Sequence, residues 1–303
     1  MNAAPALIGY MAAVGVAAPR LMLRSTWPHR APAPAAAVWQ ALALSFAVAA
    51  ALLAYNLATP TEHLHAGFIG VLHACGLHAG AGSPDPGTAE QLAVVLPAAV
   101  MLALASSFVF HALRARRARA RHRETLDMVG CHSDDLQATV LTYGAPAAYC
   151  LPGRRPRIVV SDTAVRMLSP EQLQAVLEHE RAHVAGRHHL ALAAVQAFAS
   201  VFGRLPLARH AKEQTALLLE MIADDRAVRS QSHDVFASAM YEMAAVRAPR
   251  GTFSVGGDSA VIRMRRVLGR HRAPHPVLRG SAAAVAALVP LLPLLLVCPP
   301  GLG

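Results

Sequence analysis

The stretch from Ser169 to His189, SPEQLQAVLEHERAHVAGRHH, determines how the part of the chain that carries chemistry is built. Ser169 is a good N-cap, Pro170 suits the first helical position and Gln172 completes a capping box, so a helix is predicted to begin here. Its last turns read His179-Glu180-Arg181-Ala182-His183. Histidines four residues apart share one face of a helix, so both imidazoles can reach one metal ion.

The spacing of this motif is typical of a catalytic zinc site. Such a site takes three protein ligands and keeps one position open for water. His179 and His183 are two candidate ligands for one Zn²⁺ per chain, and Glu180 projects beside them, where it can act as the general base. The sequence therefore predicts hydrolysis, and it leaves the third ligand to be found.

Two residues compete for the third ligand position. Glu220 lies on a second predicted helix, 37 residues after His183, and Asp224 follows one turn later, where it can orient a ligand imidazole. His189 instead completes the longer HExxHxxGxxH pattern. We favour Glu220 because the chain resumes an apolar run after His189 instead of entering a loop.

The composition places this chemistry in a membrane protein. The chain has 303 residues, of which 54% are hydrophobic and only 15% charged, and this argues against an ordinary soluble enzyme. Four stretches are long and apolar enough to cross a bilayer. They run from the N-terminus to about Leu23, from Val38 to Ala58, from Gln91 to Leu113 and from Ser281 to Cys298.

The positions of the basic residues predict the orientation of these spans. The loop 59–90 has no Lys or Arg, whereas six arginines fall between Arg114 and Arg123, directly after the third span. All 28 basic residues lie on one side, which the positive-inside rule makes cytoplasmic, so the N-terminus faces out of the cell membrane. The arginine run predicts contact with anionic membrane lipid, and no direct nucleic-acid partner is expected.

We therefore predict a mainly α, polytopic membrane protein with four transmembrane helices and a cytoplasmic α+β zincin-like metallopeptidase domain. Residues 1–113 form a three-span region, 114–280 the cytoplasmic domain, and 281–303 the last span and tail. Within the domain, Arg157-Ile158-Val159-Val160-Ser161 is a β-branched strand that is predicted to bind an extended substrate by edge pairing.

The chain resembles the BlaR/MecR-type integral-membrane zinc metallopeptidases. The matching pieces are Ala148–Gly153 (AYCLPG), the helix motif His179–His183, Glu220–Arg226 (EMIADDR) and Val261–Leu268 (VIRMRRVL). The Glu220–Asp224 pairing is also similar to HtpX-type membrane proteases. The resemblance implies that His179, His183 and Glu220 bind zinc and that Glu180 is the catalytic carboxylate.

The resemblance also implies a role in signal transduction. The substrate of the protein would then be a transcriptional repressor or the protease itself. The chain is expected to lack the extracellular penicillin-binding sensor domain that the antibiotic sensors carry. Two alternatives remain open, a membrane quality-control protease and a non-catalytic signalling scaffold. The intact Glu180 argues against the scaffold, because structural zinc sites need no general base.

Overall fold

The computed structural model describes residues 3–58, 88–245, 257–269 and 276–297. Four of its helical segments are apolar and long enough to be candidate membrane spans: Ala4–Arg24, Pro32–Leu57, Val94–Val129 and Pro276–Val297. The predicted spans are thus present as helices. Residues 59–87 of the predicted outward loop lie outside the described residues.

The first and last candidate spans are not regular helices. The first consists of α1 (Ala4–Ala12), a π-helical turn (Ala13–Ala17) and α2 (Ala18–Arg24). The last consists of α12 (Pro276–Leu288), a 3₁₀ turn (Val289–Leu291) and α13 (Leu292–Val297). Between them lie the short α3 (Trp27–Arg30), the second span α4 (Pro32–Ala58) and the long α5 (Thr88–Val129).

Pro293 accounts for the break in the last span. Proline has no N–H, so the carbonyl of Val289, four residues earlier, lacks its usual helical donor. Ser45 Oγ donates to this carbonyl at 2.8 Å, and the Tyr10 hydroxyl donates to it at 3.2 Å. The carbonyl also accepts from the backbone N–H of Leu292 in the 3₁₀ turn, so the two neighbouring candidate spans add side-chain donors to one remaining backbone donor.

Helix α5 leads from the third candidate span straight into a four-stranded sheet. The strands are β1 (Gly130–Ser133), β2 (Ala138–Leu141), β3 (Ala148–Leu151) and β4 (Arg157–Ser161), in the spatial order β1-β2-β4-β3. The sheet is mixed, because β4 is parallel to β2 and antiparallel to β3. The strand β3 was not predicted, since its Pro- and Gly-rich surroundings are typical of a loop.

The predicted strand Arg157–Ser161 exists, but its predicted role is wrong. As β4 it is an interior strand, with Val159 and Val160 paired to β2 on one side and to β3 on the other. Backbone groups already bonded on both sides cannot accept an extended peptide. Among the described residues β3 pairs only with β4, so β3 supplies the free edge on that side of the sheet.

Six helices complete the described chain. They are α6 (Asp162–Met167), α7 (Pro170–Ala185), α8 (His188–Phe202), α9 (Pro206–Ser230), α10 (His233–Ala245) and α11 (Gly257–Leu268). Helices α7 to α11 surround the candidate site.

Helices α8 and α9 share one apolar core with the candidate spans. Trp39 and Phe46 of α4 are buried in the same cluster as Phe198 of α8 and Met221 of α9. Phe46 makes edge-to-face contacts with Phe198 and Phe202, with ring centroids 6.0 and 5.3 Å apart. Burial of aromatic residues is among the largest apolar contributions to stability, so the site is anchored directly to the second candidate span.

Candidate metal centre

The helix that carries the motif begins as predicted. Ser169 Oγ accepts from the backbone N–H of Gln172 at 3.3 Å, and Gln172 Oε1 accepts from the N–H of Ser169 at 2.8 Å. This capping box fixes the start of α7. The helix then runs unbroken to Ala185, so His179 and His183 stand one turn apart on the face that meets α9.

Three donor atoms converge where α7 packs against α9. The Nε2 atoms of His179 and His183 lie 3.2 Å apart. The Glu220 carboxylate faces both rings, with Oε2 3.5 Å from His179 Nε2 and Oε1 3.4 Å from His183 Nε2. Ligands bound tetrahedrally to zinc at about 2.0–2.1 Å are about 3.3 Å from one another. The donor set therefore fits a zinc ion bound by three side chains, with a fourth position left for water.

His189 lies elsewhere. It lines a separate cavity of 420 Å³ with His111 and Arg119 on α5, and it is not part of the converging group of donors. Helix α7 does end at Gly186, as the longer motif requires, but α8 begins two residues later and directs His189 toward α5. Of the two candidates from the sequence, the structure brings Glu220 to the histidine pair.

Glu180 lies beside the three donors, on the side of the edge strand β3. The Cys150 thiol, on β3, hydrogen-bonds to its carboxylate. Burial raises the pKa of the Glu180 carboxyl above its ordinary range, although the nearby His179 ring works against this. A raised pKa suits a group that must first accept a proton and then give it away.

A salt-bridge cluster holds the carboxylates of α9. Asp224 is fully buried, and its Oδ1 lies 3.1 Å from His179 Nδ1. Arg263 on α11 donates through Nε and Nη2 to the two oxygens of Asp224 at 2.9 and 2.6 Å, and its Nη1 lies 2.7 Å from Glu220 Oε2. Burial works to raise the pKa of Glu220, but His179 and Arg263 outweigh it and keep that pKa low. Glu220 is thus held as a carboxylate, the form that binds metal.

Arg263 was not recognised from the sequence as part of the site. It lies in the stretch Val261–Leu268 that carries part of the resemblance, but its partner Asp224 is 39 residues away. One local signal could have identified Arg263 as part of the site, namely the apolar face of α11. Val267 is buried against Ala227 and Phe236, and this packing turns Arg263 toward α9.

His188 is the second residue that the sequence did not identify. It is buried, and its Nδ1 lies 2.8 Å from Nδ1 of His183. Because His183 directs Nε2 toward the other donors, its Nδ1 must carry the proton and donate to His188. Burial lowers the pKa of His188, which keeps this ring neutral and able to accept. His188 therefore orients the imidazole of His183, and the buried carboxylate of Asp224 lies beside Nδ1 of the other candidate ligand, His179.

The link between α7 and α8 makes this contact possible. Arg187 adopts a left-handed conformation, with φ 48° and ψ 37°, which folds α8 back on the end of α7. A Cβ on Gly186 would lie 2.4 Å from Nε2 of His188, so only glycine leaves room for the ring. The glycine of the extended motif thus serves His188 and not His189.

Comparison with known families agrees with this geometry. Residues 112–246 match the model of Peptidase family M48, a range that contains Glu180 and all three converging side chains. The chain therefore carries a metallopeptidase domain, and the four candidate spans among the described residues are consistent with a membrane protein. The BlaR/MecR-type assignment and the missing sensor domain stay predictions. Searches of curated proteins and of solved structures gave no match.

Proposed function

We propose that this protein is an integral-membrane zinc endopeptidase with a regulatory role. It hydrolyses a peptide bond in a cytoplasmic or membrane-proximal protein, and the resemblance suggests a transcriptional repressor or the chain itself as substrate. The observation that carries the proposal is the convergence of His179, His183 and Glu220 at tetrahedral separations, with Glu180 beside them.

The chemistry follows from the donor set. Zinc, when bound by these three side chains, supplies a Lewis acid that polarises the scissile carbonyl and acidifies water. Glu180 takes the proton from the attacking water and delivers it to the leaving amine. Its carboxylate must be ionised at the start of this cycle and protonated in the middle, and its buried position next to charged neighbours makes both forms accessible.

We propose that the substrate binds along the edge strand β3 and not along β4. Strand β3 (Ala148–Leu151) lies next to α7, and its Cys150 contacts Glu180. An extended peptide that pairs with this edge would pass directly over the general base. Backbone pairing of this kind selects for an unfolded or extended segment more than for a particular side chain.

The test of the catalytic assignment is the Glu180→Gln variant of the full-length protein. Gln keeps the shape of the side chain and removes the base, so we expect wild-type zinc content and a loss of cleavage of at least 100-fold. The matched control is Glu178→Gln on the same helix, whose carboxylate pairs with Arg181. Cleavage that is unchanged in Glu180→Gln would refute the proposed role.

The test of orientation uses Cys131, which is exposed at the start of the sheet. If the domain is cytoplasmic, a membrane-impermeant maleimide added to intact cells should not label Cys131, and it should do so after the cells are opened. Labelling in intact cells would reverse the proposed topology.

A further inference from the structure

A basic cavity lies on the far side of the metal-ligand cluster. Its volume is 470 Å³, and it lies between the start of α4, the start of α12 and the last turns of α9. Its inner wall includes His188, so the cavity reaches the back of the ligand histidines. Five arginines and a single carboxylate line it, namely Arg30, Arg226, Arg229, Arg266, Arg279 and Asp225.

Most of this positive charge is not neutralised by the protein. Arg266 is committed, since it pairs with both oxygens of Asp225 at 2.6 and 3.0 Å. Arg226 is also paired, because its Nε lies 3.6 Å from Glu178 Oε2. Among the described residues, no carboxylate oxygen lies within 4.0 Å of the other three arginines of the lining, Arg30, Arg229 and Arg279. Guanidinium groups that share a concave surface without counter-charges repel one another, and an anion would relieve this repulsion. Planar guanidinium forks are well matched to phosphate oxygens.

The position of the cavity indicates the source of this anion. Arg30 comes two residues before the candidate span that begins at Pro32, and Arg279 lies in the first turn of the span that begins at Pro276. Two spans that begin at one level define a membrane boundary, and this is the depth of lipid phosphates. Basic pockets between spans are suited to anionic headgroups, and Pro32, Ala33 and Ile222 add an apolar wall for the first carbons of the acyl chains.

We propose that this cavity binds the phosphate headgroup of an anionic phospholipid, held by Arg30, Arg229 and Arg279. The lipid joins the second and last candidate spans to α9, the helix that carries Glu220. The site is distinct from the substrate edge β3, and the proposal stands whether or not the protein cleaves peptides.

The experiment uses the full-length protein in uncharged detergent. Dioctanoyl phosphatidylglycerol and dioctanoyl phosphatidylcholine are titrated separately, and retained lipid is counted by native mass spectrometry, with the melting temperature as a second readout. We expect saturable binding of the phosphatidylglycerol and at least 10-fold weaker binding of the zwitterionic lipid. The Arg229→Gln/Arg279→Gln variant should bind phosphatidylglycerol roughly 30-fold more weakly.

The matched control is Arg154→Gln/Arg155→Gln, which removes the same charge from two exposed arginines between β3 and β4 that do not line the cavity. This control should bind as the wild type does, and an equal loss in both variants would reduce the effect to general surface charge. Inorganic phosphate that binds as tightly as the lipid would make the ligand a soluble anion and overturn the proposal. Should the Gln variant fail to fold, Arg229→Lys/Arg279→Lys keeps the charge and must retain binding, and Arg30→Gln must weaken it.

Discussion

Replacement of His188 by alanine tests whether this residue controls the metal site. His188 accepts from Nδ1 of His183 over 2.8 Å, and at 5% exposure its ring is too deeply buried for solvent to take over this contact at once. Residues that orient a ligand imidazole in this way contribute about 10- to 100-fold to metal affinity. We therefore expect His188→Ala to weaken zinc binding about 10- to 100-fold, which corresponds to about 1.4–2.7 kcal/mol of binding free energy.

The assay is competition between the purified full-length protein and a zinc chelator of known affinity. The melting temperature of the metal-free protein is measured in parallel, so that lost packing is separated from lost metal binding. His188→Asn places an amide oxygen near the former Nδ1 position and should recover part of the affinity. His189→Ala is the matched control, because His189 faces α5 and should leave zinc binding unchanged.

The Gly186→Ala variant tests the same contact from the other side. The backbone at Gly186 has φ −75°, which alanine adopts freely, but the new Cβ would lie 2.4 Å from His188 Nε2. The ring must therefore move, and zinc affinity should fall as in His188→Ala. The double variant should be no worse than His188→Ala alone, because the clash needs the ring. Zinc binding by His188→Ala within threefold of wild type, or additive losses in the double variant, would refute this reasoning.

Three further outcomes follow from named contacts. Arg263→Ala leaves Asp224 buried without its bidentate partner and should cost about 3–5 kcal/mol of stability, measured by thermal unfolding. Arg263→Ala should also weaken zinc binding more at pH 6 than at pH 8, because the pKa of Glu220 rises once the Arg263 guanidinium is gone. Equal weakening at both pH values would contradict this. Burial and the Glu180 charge raise the pKa of the Cys150 thiol to about 12 from an ordinary 9.0. At pH 8 the thiolate fraction of Cys150 should therefore be about 1000-fold smaller than that of an ordinary cysteine, and iodoacetamide should react with it only slowly. Rapid alkylation of Cys150 would contradict this. Ser169→Ala removes the N-cap of α7 and should lower stability by about 1 kcal/mol in thermal unfolding, with zinc affinity unchanged; a loss of zinc binding would mean that the cap positions the motif.

The features that the sequence predicted well depend on near neighbours along the chain. The capping box, the one-turn spacing of His179 and His183 and the apolar lengths of the spans are all set within about 20 residues, where helical period and hydropathy act directly. For this reason the start of α7, the strand Arg157–Ser161 and all four candidate spans appear in the structure where they were expected.

The features that the sequence left undecided depend on segments that meet only after folding. Hydrogen bonding across the sheet made β4 an interior strand and moved the free edge to β3. The left-handed turn at Arg187 directed His188, and not His189, toward His183. Packing of α11 against α9 brought Arg263 to Asp224 from 39 residues away. The sequence by itself thus determined the motif, the one-turn spacing of its histidines and the apolar helices, because local spacing encodes them. Only the tertiary structure decided which distant side chains complete the site. Those contacts depend on how the helices pack, and local sequence spacing does not predict that packing.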